Sequence, residues 1–190
     1  MIWRVRRVLT GHTPDGKSTF MADGHAPNMK EMPSFPGLAL TDLWETTGAP
    51  ASNEGYADAA DRPIKLEPPK NGTIVRIVEF PPDTHRPQGN DGSAGFKAIG
   101  AGHAQDKRSS DPMMHKTGTV DYIIVLKGEI YAVMETGEKL LRAGDVLIQR
   151  GTMHSWSVRT AEPCIIAAIL VNAKPVASPK KKGSRKKKKK

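Results

Sequence analysis

Between His115 and Trp156 the chain is cut into short apolar runs by turn residues every eight to ten positions, a spacing that favours antiparallel strands. Runs 122–126 and 130–134 flank Lys127-Gly128-Glu129, and a second reversal falls at Thr136-Gly137-Glu138. Residues 139–142 then lead into Gly144-Asp145, and 146–149 lead into Arg150-Gly151-Thr152. No window in this stretch has helical spacing. The expectation is an all-β fold, an antiparallel barrel or double-sheet jelly roll with almost no helix.

The polar residues inside this stretch carry a second pattern. Side chains alternate between the faces of a strand, so positions of equal parity point the same way. His115, Thr117, Thr119 and Asp121 are all odd-numbered, which puts His115 and Asp121 on one face of an extended segment. His154 comes from a later strand that would pair nearby in a closed sheet. Two histidines and a carboxylate converging in a barrel match the facial triad of non-haem Fe(II), which leaves positions open for substrate or O₂.

These residues resemble the two motifs of a cupin barrel. The first runs Gly, five residues, His-x-His, three or four residues, Glu, six residues, Gly. His115 sits at its first His, Thr117 replaces the second, Asp121 replaces the Glu, and Gly128 closes it at the right distance. The second runs Gly, five residues, Pro-x-Gly, two residues, His. Gly144, Gly151 and His154 match it, with the Pro missing and one residue fewer before the Gly. Further stretches (6–12, 43–46, Pro81-Pro82, 114–117, Asp121-Tyr122 and 149–152) resemble one branch of small single-domain cupins over about residues 2–173. That branch includes bacterial proteins of unassigned function and cupin-domain oxidoreductases of fungal polyketide pathways. The resemblance implies a cupin jelly roll extended by N-terminal strands and an arm, with an arm that crosses to a second subunit in a homodimer.

The rest of the chain divides into 1–69, N-terminal strands and arm packing on the barrel; 70–173, the barrel; and 174–190, a disordered lysine-rich tail. Residues 2–9 alternate apolar and basic and predict a strand, with 17–21 as its hairpin partner. Residues 22–36, rich in Pro, Gly, Asn and Met, read as an arm, and 49–62 as an exposed loop. Strands are predicted at 38–46, 73–80 and 164–171. The long connection 83–112 holds only Phe96-Lys97-Ala98-Ile99 as an apolar cluster, the profile of a lid or partner-contacting segment.

At 190 residues one domain with a real core is expected. The net charge of +9 belongs to the tail alone: residues 180–190 hold eight Lys and one Arg, and the other 20 basic residues balance 20 acidic ones. With no interleaved aromatics, the tail gives no specific nucleic-acid site. The start has no apolar stretch of signal-peptide length and no run approaches a membrane span, so a cytoplasmic protein is expected. The single Cys164 excludes an internal disulfide and, in its apolar run, reads as a buried inert thiol.

Two functions from different classes stand. One is a metal-dependent oxidoreductase, dioxygenase-type enzyme or lyase acting on a small organic molecule, with His115, Asp121 and His154 holding Fe, Zn, Mn or Ni. The other is a non-catalytic, metal-free barrel binding or sensing a small ligand. In both, Thr117, Trp156 and Arg150 line the substrate pocket, Arg150 being placed to hold a carboxylate. His103 is a lesser ligand candidate, and Tyr122, of opposite parity to Asp121, packs outside.

Overall fold

The computed structural model describes residues 2–32 and 34–176. Eleven strands carry the fold: β1 (Arg6–His12), β2 (Ser18–His25), β3 (Met29–Glu31), β4 (Ala39–Thr46), β5 (Thr73–Phe80), β6 (Thr119–Lys127), β7 (Glu129–Met134), β8 (Gly137–Arg142), β9 (Val146–Arg150), β10 (His154–Ser157) and β11 (Cys164–Asn172). The one α-helix among the described residues is α1 (Ser93–Ala98). None there is long and apolar enough to cross a membrane. The tail from residue 177 onward, and with it the expected disorder, lies outside the described residues.

The strands form a six-stranded sheet in the order β3-β4-β5-β11-β6-β9, a three-stranded sheet β10-β7-β8, and a separate two-stranded sheet β1-β2. All pairings are antiparallel. β11 sits between β5 and β6, and none of its residues is exposed, in keeping with its unbroken apolar sequence. Gly128 carries the chain from one sheet to the other, since β6 and β7 do not pair with each other. It has φ of 76°, and a Cβ there would lie 2.8 Å from the Pro163 carbonyl oxygen, so the crossing needs glycine.

The core lies between the two larger sheets, around Leu40, Ile74, Val78, Ile123, Val125, Ile130, Ile166 and Leu170. β3 and β4 are hydrogen-bonded into the six-stranded sheet, so part of the barrel wall comes from before residue 70. The N-terminal hairpin is tied to the body by Arg7, whose guanidinium donates to the Leu43 carbonyl and to Asp58. Inside the sheet an ion cluster replaces apolar packing. Arg76, only 2% exposed, meets Asp42 at 2.5 and 3.0 Å, and Arg62 joins Asp42 at 3.0 Å and Glu45 at 2.6 Å. A buried pair so saturated is held by mutual compensation.

Candidate functional site

A cavity opens between the sheets and is closed by the 83–112 connection. Its walls come from β4, β5, β6, β10 and β11, and its cover from Met32, Phe35, Phe96 and Ile99. The apolar cluster of the long connection thus folds inward, with Phe96 and Ile99 buried under the cover.

His115 and His154 meet through the backbone first. His115 N–H donates to the His154 carbonyl at 2.8 Å and His154 N–H donates to the His115 carbonyl at 2.9 Å. Residues paired this way stand directly opposite across two extended segments and share a face. Their rings accordingly lie 4.3 Å apart between centroids. Aromatic neighbours continue the row on both sides: Phe96 is 5.2 Å from His115, Trp156 stands edge-on 5.7 Å from His154, and Phe80 is 6.0 Å from Trp156.

Each imidazole is oriented by a carbonyl two residues earlier in the chain. His115 Nδ1 lies 2.8 Å from the Met113 oxygen and His154 Nδ1 lies 2.9 Å from the Thr152 oxygen. A carbonyl only accepts, so both Nδ1 atoms carry the proton and both Nε2 atoms are bare acceptors. Among the described residues neither Nε2 has a hydrogen-bond partner. Burial pulls both pKa values down; for His154, with His115 beside it, to about 3. Two neutral rings are therefore present at physiological pH.

Asp121 lines the same cavity from β6 and is 5% exposed. Burial pushes its carboxyl up to about 6, a hydrogen bond from Thr119 opposes the shift, and the Glu67 carboxylate adds to it. Its Oδ1 is buried without a partner. Thr117 and Thr119 share a 2.6 Å hydroxyl contact on the same face.

The structure brings His115 and His154 together and lines the same cavity with Asp121, apart from the pair. The imidazole pair offers two free nitrogens, the donor chemistry a first-row metal takes. Among the described residues, however, no three His, Cys, Asp or Glu side chains are grouped closely enough to hold an ion. His103 is also apart, 66% exposed and bonded to Glu67 at 2.8 Å.

Of the residues expected to line the substrate pocket, Thr117 and Trp156 do so. Arg150 does not. It sits exposed on β9 while its neighbour Gln149 turns inward, 2% exposed, so the pocket arginine expected there is corrected. The arginines that reach the cavity are Arg76 and Arg86. Arg76 is spent on Asp42, a role foreshadowed by a charge in the middle of an apolar strand. Arg86 lies at 5.2 Å over the Phe35 ring, with Asp83 and Asp111 each 3.8 Å away and its Nε unpartnered. Nothing local in the sequence singles it out.

The chain is similar to several known proteins. The chain is 47% identical over 161 residues to phomopsin biosynthesis cluster protein C' of Diaporthe leptostromiformis, covering 81% of this chain and 70% of the relative. It is 25% identical over 182 residues to the cupin-domain-containing oxidoreductase virC of Hypocrea virens, covering 91% of this chain and 78% of that protein. The chain belongs to the cupin family. No family model matches it. Among solved structures, the Schizosaccharomyces pombe Cnp3 cupin domain aligns at a TM-score of 0.44 and 11% identity, over 90% of this chain and 89% of that one. In this cupin, Tyr122 packs outside the barrel as expected, 44% exposed. Cys164 is buried, and that burial pushes its thiol up to about 12, consistent with an inert core residue.

Proposed function

We propose that this cupin binds a small, largely apolar organic molecule in the covered cavity and acts on it in oxidoreductase-type chemistry. The observation that carries the reading is the imidazole pair, two free Nε2 acceptors set in an apolar, aromatic-lined chamber. Such a chamber with few convergent polar groups is the usual form of a small-ligand site. The names of relatives such as virC support the reaction class. The side chains present can bind, orient and accept protons; electrons must pass to a partner that the ligand, O₂ or a metal supplies. Isothermal titration with small aromatic probes tests the binding reading, and loss of heat on filling the chamber with Ala168→Phe is the expected result. Probe binding unchanged by that substitution would overturn it.

A metal-dependent variant of this reading is favoured by the same two nitrogens. His115 and His154 would hold the ion, with Asp121 joining only after the strand shifts. Elemental analysis of the wild type beside His154→Ala and Asp121→Ala, prepared without chelators, tests it. Stoichiometric metal lost in both variants supports a three-ligand centre. Its absence from all three leaves the metal-free binding barrel.

A homodimer is the assembly we infer. The β1-β2 hairpin stands as its own sheet and leaves Phe20 73% and Val8 44% exposed, surfaces suited to a second barrel. A monomeric mass by light scattering at tens of micromolar removes this inference.

A further inference from the structure

On the walls formed by the two histidines and Asp121 the unpaired polar atoms are acceptors; the unpaired donor at the cavity is Arg86 Nε. His115 Nε2 and His154 Nε2 accept because their Nδ1 protons are committed to the Met113 and Thr152 carbonyls. Asp121 Oδ1 is a carboxylate oxygen with no partner, in a side chain 5% exposed. The hydroxyls nearest to it are already engaged, Thr117 with Thr119 and Thr119 with Asp121. The guanidinium of Arg76 is occupied by Asp42. These acceptors lie in two places: the imidazole pair at one, and Asp121 at another too far away to join it around one ion.

A buried acceptor without a donor, as Asp121 Oδ1 is, is costly, so a ligand that brings a donor to it and to the bare imidazole nitrogens is favoured. The walls between the two places are apolar, including Ile123, Ile166 and Leu170. We propose that the ligand is a small apolar molecule carrying two separated hydroxyl groups, one donating to the imidazole pair and the other to Asp121. This rests on the reading that the cavity binds an organic molecule, and adds the ligand's chemical class and its two anchors. An ether oxygen set against the imidazole nitrogens or Asp121 places lone pairs against lone pairs and is disfavoured there. The imidazole nitrogens orient one hydroxyl, and Asp121 orients the other.

The test uses the full chain in chelator-treated buffer, so that no metal stands in as the electron-pair acceptor. Benzene-1,3-diol and naphthalene-2,7-diol are titrated calorimetrically beside their mono- and dimethyl ethers. The expected result is at least tenfold tighter binding of one diol than of its dimethyl ether, with the monomethyl ether between them. Asp121→Leu and His154→Leu should each remove most of the diol's advantage while leaving the dimethyl ether's affinity within about threefold. Diol and ether binding equally well would overturn the donor assignment and leave the binding reading intact. Binding of none of the probes would remove both. Should either variant fail to fold, the wild-type diol-to-ether ratio decides alone.

Discussion

Replacing Asp121 by Asn isolates the electrostatics of the cavity without changing its shape. The carboxyl holds its proton up to about pH 6 in the folded protein, against 3.8 for the ordinary group. Between those values the folded state binds more protons than the unfolded chain, so this residue's contribution to stability falls as pH rises. A span of about 2.2 pH units at ~1.36 kcal/mol each gives a full cost of about 3 kcal/mol at neutral pH. Asn removes that cost, retains a carbonyl for Thr119, and introduces a buried amide N–H whose own cost of roughly 1 kcal/mol does not vary with pH. His115 and His154 titrate in both proteins and cancel in the comparison. Urea unfolding of both proteins between about pH 4 and pH 7.5, in chelator-treated buffer, measures the difference. The stability of Asp121→Asn relative to wild type should rise by about 2.5 kcal/mol across that range. A difference that stays flat with pH would refute the assignment of Asp121 as a carboxyl burdened by burial.

Four further outcomes are expected. Asp42→Ala leaves the Arg76 guanidinium buried without its carboxylate and should cost about 3–5 kcal/mol by chemical denaturation. Gly128→Ala should lower stability by at least ~1 kcal/mol and depress Tm, since alanine there must take a φ of 76° against the Pro163 carbonyl. Cys164 should resist iodoacetamide in the native protein and react once urea unfolds it, because burial keeps its thiol protonated up to about 12. Arg86→Ala should speed probe association in stopped-flow more than it changes affinity, because Arg86 covers the cavity through stacking and 3.8 Å ion contacts alone.

Where period and punctuation carry the information, the sequence is readable. β5 and β11 fall on their predicted runs because alternating or unbroken apolar residues bounded by turns have few other uses. β3 was hidden because three residues in a Pro- and Gly-rich arm form a strand only through pairing with β4. α1, six residues long, is too short to show a helical period. At the site, parity assigned the faces of His115 and Asp121 correctly but carries no distance. The closeness of His115 and His154 comes from one pair of backbone hydrogen bonds between segments far apart in sequence. Arg86 shows the same limit, since its place at the cavity depends on how a long connection folds back.

That connection determines how strongly the site can act. The chain flanking α1 is fastened: Asn90 donates to the Ser34 carbonyl, and Gln105 donates to the Pro112 carbonyl at 2.8 Å and to the Asp91 carbonyl. Its fit is close, because a Cβ on Gly92 would lie 2.6 Å from the Pro112 oxygen and one on Gly95 would lie 2.9 Å from Ser34 Oγ. Phe96 is thereby set against His115, with ring centroids 5.2 Å apart, and is itself 5% exposed. Among apolar walls, hydrogen bonds to the bare nitrogens and to Asp121 are strengthened, and at the buried Asp121 Oδ1 so is the penalty for leaving one unmade. The apolar cover and the unpaired Asp121 oxygen therefore act together: burial makes the empty acceptor costly, and that cost gives a matching ligand its advantage.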